Sequence, residues 1–262
     1  MPLLASIPSP SSGTLDLGPL TIHMYGLMLL AGIAACIVIT GRRWVARGGD
    51  WDLIFRVAVW EGGLGIWGGI LGGVLAGSVI ARRAGVSVLE LLDAAAPGLL
   101  VAQAIGRVGN WWNQELFGKP TDQPWGLEID ASRRPDEYLL DNTFHPTFLY
   151  EGLWNLGAAA LLLVLDRFYR FRPPALFALY VMLYTAFRFY LEQLRIDPSK
   201  ELAGMRINAW VSLVVFLLAA GFFVWWQFIR GGRRPRLRRV HERKAERPPT
   251  MAVPRGRVRP RR

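Results

Sequence analysis

The chain has 262 residues, 52% of them hydrophobic, with 11 Trp and a formal net charge of +11. Several apolar runs approach the roughly 20 residues that cross a bilayer, so the sequence describes an all-α polytopic membrane protein and excludes a soluble domain. The charge is confined: 14 Lys/Arg and 2 Asp/Glu lie from Arg230 onward, leaving 17 and 18 before it, so the membrane body is not basic and offers no nucleic-acid face.

Residues 1–19 are polar and turn-rich, and they lack the basic n-region of a cleaved signal peptide. The first span is expected over Leu20 to Thr40, with His23 and Tyr25 near its entry and Arg42 and Arg43 closing it. Tyr and His at that depth also read as interfacial anchors. Cys36, the single cysteine, lies inside this run, which excludes an intrachain disulfide and argues against a metal site. No cofactor is called for. WDLIFRVAVW at 51–60 is amphipathic and too short to cross alone. Gly62 to Ala81 is the next span, with glycines at 62, 63, 65, 68, 69, 72, 73 and 77. Such spacing lets helices approach closely, or leaves space for a lipid chain.

Val86 to Gly106 is less apolar, with Glu90, Asp93 and Pro97, and leads into GRVGNWWNQELFG at 106–118. There Arg107, Asn110, Asn113, Gln114 and Glu115 cluster beside Trp111 and Trp112. Ionisable groups near bilayer depth are costly and therefore mark a site by default. If the helix continues to 114, then Arg107, Asn110 and Gln114 share one face. Residues 119–144 are polar and proline-containing, and form a long extramembrane arm with a short strand suggested around Trp125, Leu127 and Ile129.

A further span begins at His145-Pro146-Thr147 and carries Tyr150, Glu151 and Asn155. A carboxylate in its first turns is favoured by the helix dipole, so Glu151 reads equally as structural or catalytic. The span Ala175 to Leu194 carries Tyr184, Arg188, Glu192 and Arg195 within an arc of about 80°, one polar stripe on an apolar helix. Arg188 and Glu192 can also neutralise each other as a structural ion pair. The last span is Asn208 to Ile229, giving about six in all, and the Arg/Pro-rich tail 230–262 is disordered by composition.

Basic loops stay cytoplasmic. Arg82/Arg83, Arg167/Arg170/Arg172 and the tail are separated by two spans each and agree, but a single clear span separates Arg43 from Arg82. Three resolutions are open. Residues 51–80 enter and leave one face, or one cluster breaks the rule, or a crossing is missing. Counting back from a cytoplasmic tail, the 106–118 cluster, the arm and the far end of the Tyr184 to Arg195 stripe all fall on the outer face. Two arginines meeting there form a fork suited to phosphate, with amides and carboxylates beside them to read hydroxyls. The residues alone thus point to a phospholipid-binding site, and equally to a lipid or ion transporter with an anionic-headgroup site. No internal repeat of the transporter kind is visible. A membrane anchor for a nucleic-acid-binding tail is the weakest reading, because the tail lacks aromatic interleaving and its attraction to anionic lipid is simpler.

GRVGNWWNQELFG resembles the signature of the bacterial prolipoprotein diacylglyceryl transferases. HMYGLMLLAG at 23–32, VWEGGLGIWGGILGG at 59–73, HPTFLYEG at 145–152 and YTAFRFYLEQLRID at 184–197 follow in the family's order. The resemblance covers most of 18–225 and is closest to the actinobacterial branch. It implies transfer of the diacylglyceryl group of phosphatidylglycerol to the lipobox cysteine of a preprolipoprotein signal peptide, in the bacterial inner membrane, with the tail cytoplasmic. It places phosphatidylglycerol binding on Arg107, with Asn110, Asn113, Glu115 and Gly118 beside it. It marks Tyr25, Tyr184, Arg188 and Glu192 as functional. Trp67 stands where many members carry a His cast as the base, and the stretch between Arg43 and Trp60 is shorter than the family's by about one span.

Overall fold

The structure, a computed structural model, describes residues 6–60, 77–230 and 236–237. Five helices among these are long and apolar enough to cross a membrane: α1 (Met24–Ala46), α4 (Val88–Asn113), α5 (Thr147–Phe168), α6 (Ala175–Glu192) and α7 (Ile207–Val224), which runs on through a π turn to Ile229. Between α1 and α4 lie the short α2 (Trp51–Trp60) and a helical segment α3 at 77–83. Most of the sixth expected span, Gly62 to Ala81, falls outside the described residues.

The first span begins later than its hydropathy suggests. Thr14–Leu17 (β1) and Leu20–His23 (β2) form an antiparallel hairpin, turning at Gly18 with φ +63° and tied by Thr21 Oγ1 to Asp16 at 2.8 Å. Leu20 to His23 is therefore strand, because its β-branched residues find a ladder partner before they reach the bilayer. The helix also runs past its expected end. Arg43 stays helical because its guanidinium reaches the carbonyls of Ala94 (2.9 Å) and Asp93 (3.1 Å) and pairs with Asp166 at 3.2 Å.

These contacts decide the parity question. Arg43 and Arg47 at the end of α1 meet the start of α4 and Asp166 at the end of α5. Trp44, Leu53, Ile54 and Ala94 form one buried cluster there, with Ile80 packed on it. The segments flanking 61–76 thus lie at the same end of the bundle, so α1 ends where α4 begins and keeps the direction that the rule on basic loops requires.

Small residues set the helix spacing. A Cβ on Gly32 would meet Ala102 O at 2.9 Å, and one on Gly98 would meet Thr40 Oγ1 at 2.9 Å, so α1 and α4 touch backbone to backbone. Leu100, Ala158, Leu162 and Leu176 make the apolar centre between α4, α5 and α6.

At the opposite end the arm folds over the helix termini. Leu127–Glu128 (β3) pairs with Thr143–Phe144 (β4), and Ile7 bridges to Leu127 from the N-terminal segment. Phe117, Leu127, Ile129 and Phe144 are buried together, whereas Trp125 remains 47% exposed. Tyr169–Arg170 (β5) pairs with Arg236–Leu237 (β8), the only described part of the tail beyond Arg230, and Glu201–Leu202 (β6) pairs with Met205–Arg206 (β7) before α7.

Candidate functional site

Helix α4 stops where the signature stretch begins its polar half. Its last residue is Asn113; Gln114 takes the left-handed conformation at φ 51°, and Leu116 does so again at φ 58°. A bulky residue in that region is strained and persists only when its surroundings impose it. Here Thr147 Oγ1 at the start of α5 donates to Leu116 O, and Glu115 N donates to Asn110 O at 3.1 Å. The double turn swings Glu115 back over the helix end. Asn110 Nδ2 donates to Glu115 at 2.8 Å and Asn113 Nδ2 at 3.2 Å, while Asn110 Oδ1 accepts from Arg107 Nη1 at 3.4 Å.

The expectation that Gln114 would share a face with Arg107 and Asn110 is overturned by the same turn. Gln114 leaves the helix and its amide clamps the arm, bonding Asp130 at 2.6 Å and Pro10 O at 3.0 Å. Gly118 belongs to that stem as well. A Cβ there would sit 2.8 Å from His145 Cβ and 3.1 Å from Leu194 O, so this glycine lets the chain thread between the ends of α5 and α6.

Arg107 and Arg188 arrive from different helices and converge on Glu151. Arg107 Nη2 lies 2.6 Å from Oε1 and Arg188 Nη1 3.4 Å from Oε2 of a carboxylate only 2% exposed. The first contact is an ion pair without hydrogen-bond geometry, which leaves Oε1 without a hydrogen bond. Arg188 Nη2 also reaches Glu192 at 3.1 Å, and fully buried Glu192 is shared with Arg195 (3.7 Å), Arg206 (2.9 Å) and Asn208 (3.2 Å). Asp197 closes the chain, at 2.6 Å from Arg195 and 2.9 Å from Arg206. Burial alone would raise the Asp197 pKa, but the hydrogen bonds and charges of those two arginines outweigh it and hold the carboxyl below its usual range. Within this network four guanidinium groups face Glu151, Glu192 and Asp197, and the Glu115 carboxylate is joined to Arg107 through Asn110.

Tyr25 packs against Gly109, where a Cβ would come within 2.7 Å of its ring. Tyr184 stacks on Tyr180 one turn inward of Arg188. His145 Nδ1 lies 3.1 Å from Tyr150 Oη, which accepts from Trp125 Nε1 at 2.8 Å. Burial holds the imidazole pKa below its ordinary value. Trp67 lies outside the described residues. A polar cavity of about 520 Å³, lined by Asn113, Glu115, Arg133 and Asp197, opens on the arm side of the cluster.

Residues 52–225 match the family model described as prolipoprotein diacylglyceryl transferase. The chain belongs to that family. Among its relatives, a protein of Frankia alni named phosphatidylglycerol-prolipoprotein diacylglyceryl transferase is 45% identical over 248 residues, 81% of this chain and 65% of the relative. A protein of the same name from Cutibacterium acnes is 47% identical, covering 80% and 83%, and a second-numbered one from Streptomyces coelicolor is 43% identical, covering 84% and 81%. The chain thus spans just under two thirds of the Frankia protein and more of the other two. The Frankia alignment runs over 248 positions yet uses 81% of the 262 residues here, so the relative fills positions that this chain lacks.

Glu151 and Arg195, marked in the sequence as polar positions of their spans, join the same network, and Arg206 joins it without having been singled out from sequence. Glu151 reads equally as a dipole-compensating or a catalytic carboxylate until α4 and α6 are folded against it. Arg206 ends the short strand β7, and nothing local reveals that it points at Glu192.

Proposed function

We propose that this protein transfers the diacylglyceryl group of phosphatidylglycerol to the lipobox cysteine of a preprolipoprotein. The observation that carries the reading is the pair of guanidinium groups on separate helices sharing one buried carboxylate. Glu151 occupies the position of an anion between them, and its Oε1 is poorly satisfied there, so a lipid phosphate with better fork geometry competes for the same donors. Arg107 and Arg188 bind that phosphate; Asn110, Asn113 and Glu115 on the rim read the glycerol hydroxyls of the headgroup.

In the transfer the cysteine sulfur bonds to the glycerol carbon that bears the phosphate. The carbon–oxygen bond breaks, glycerol phosphate leaves, and the thiol proton ends on the departing phosphate. A free thiol has a pKa of about 8.5 and must ionise to attack. The two guanidinium groups favour the thiolate and stabilise the charge that grows on the leaving group. Trp67 cannot accept a proton, since an indole is a donor only. Tyr25 and Tyr184 orient the reactants by hydrogen bonding, and Glu192 holds Arg188, Arg195 and Arg206 in place. The basic tail lies on the cytoplasmic side and is drawn to anionic lipid.

The test is incubation of the reconstituted protein with labelled phosphatidylglycerol and a lipobox peptide, with mass analysis. A peptide heavier by one diacylglyceryl group, with release of glycerol phosphate, is expected. Lipid movement between leaflets without any peptide modification would overturn the reading in favour of a transporter.

A further inference from the structure

The arginine site has a floor. On α5, Asn155 follows Glu151 on the same buried stripe, about 6 Å further into the membrane. Gln103 stands one turn inward of Arg107 on α4, and Tyr180 one turn inward of Tyr184 on α6. The register of α4 against α5 sets Gln103 and Asn155 at one level. Arg107 meets Glu151 above, a Cβ on Gly152 would lie 3.8 Å from Ala104 O, and Leu100 clusters with Ala158 and Ala159 below.

The hydrogen bonding of this layer is incomplete. Asn155 is fully buried, and neither its Nδ2 nor its Oδ1 has a partner. Gln103 Nε2 donates to Tyr180 Oη at 3.0 Å, but its Oε1 is buried and unmatched. A membrane interior supplies no water by default, so an orphaned amide there carries its full desolvation cost. Leu at position 155 would pack as well against the apolar cluster below it. Buried polar atoms without partners call for an explanation, and a ligand group is one.

We propose that Asn155 and Gln103 form a subsite for the ester carbonyls of the donor lipid, so that the site selects diacyl over dialkyl glycerophospholipid. The inference rests on the phosphate being held by Arg107 and Arg188. In such a lipid the glycerol backbone places the ester groups on the acyl side of the phosphate, which is the direction from Arg107 and Glu151 to Gln103 and Asn155. An ester carbonyl is an acceptor only and pairs with Asn155 Nδ2. Rotating the Gln103 amide about its last bond lets Oε1 accept the Tyr180 hydroxyl and turns Nε2 inward as a second donor, one for each ester. Holding both esters fixes the glycerol carbon between them and the phosphate, where the sulfur must attack.

The experiment compares diester phosphatidylglycerol with its diether analogue, the headgroup being the same, in vesicles holding the full-length protein and a lipobox peptide. The wild type is expected to favour the diester by at least about tenfold in kcat/KM, since a site built to donate to a carbonyl discriminates against the analogue without it. Asn155→Leu should bring that ratio towards one without lowering the melting temperature, and Gln103→Leu should do so by a second route if the first variant fails to fold. A wild type indifferent to the linkage would overturn the inference, as would an Asn155→Leu variant slowed equally on both lipids. Failure of the wild type to transfer from either lipid would sink the transferase reading, and this subsite with it.

Discussion

Replacing Arg107 with Met tests whether the buried ion network serves chemistry or only holds the helices together. Arg107 is 20% exposed by side chain and its main partner Glu151 is 2% exposed, so the change strands a carboxylate in a low-dielectric bundle. Removing one partner of a buried pair costs about 3–5 kcal/mol when nothing else compensates. Arg188 still lies 3.4 Å from Glu151, so the cost should fall at or below about 3 kcal/mol, the low end of that range. Adding Glu151→Gln removes the stranded charge and should recover most of the lost stability; the two sites touch, so their effects will not add. Transfer should behave differently. Loss of a preorganised donor to a developing anion costs about 10²–10³ in rate, and the double variant lacks that donor as fully as the single one. The assay is peptide lipidation followed by mass, alongside thermal unfolding in detergent. Stability restored without transfer is the expected result. Near-normal turnover in Arg107→Met, or recovery of turnover in the double variant, would refute the reasoning.

Three further expectations follow from particular contacts. Deleting residues from Gly231 should leave the specific activity of reconstituted protein nearly unchanged, because no signature residue lies in the tail; a tenfold loss measured by the same lipidation assay would contradict this. Cysteine-accessibility mapping should place position 10 outside and both 48 and 84 inside, since Arg43, Arg47 and Trp44 share one end of the bundle with Asp166 and Ile80; labelling of 48 and 84 from opposite sides would be the refuting outcome. In a pH series of thermal unfolding, His145 contributes stability that is full above its unfolded pKa of about 6.5 and is lost as pH falls through its lowered folded value. Asp197 acts in the same direction lower on the scale, with stability present above about 3.9 and lost as its depressed folded pKa is passed. His145→Gln should remove the first component and Asp197→Asn the second, while transfer rate shows no limb near pH 6.5 that either His23→Gln or His145→Gln abolishes.

The sequence by itself determined the class of protein and most of its spans, because a bilayer imposes a length and a composition that no tertiary contact alters. Helices α5, α6 and α7 begin within a residue or two of where their apolar runs predict. Arg107, Asn110, Arg188 and Glu192 were legible for a related reason: a charge at bilayer depth needs a purpose. The ion pair of Arg188 with Glu192, one turn apart, was legible too, but most pairing between elements was not. Whether Leu20 to His23 is helix or strand depended on β1, ten residues or fewer away yet invisible to hydropathy. Gln114 left its helical face because the chain turned left-handed after Asn113, a choice enforced by Asp130 and Thr147 from elsewhere in the fold. Glu151 became the centre of the site only when α4 and α6 brought arginines to both of its oxygens. Those contacts join residues 37 to 44 positions apart, and local periodicity carries no information about which faces of two helices meet.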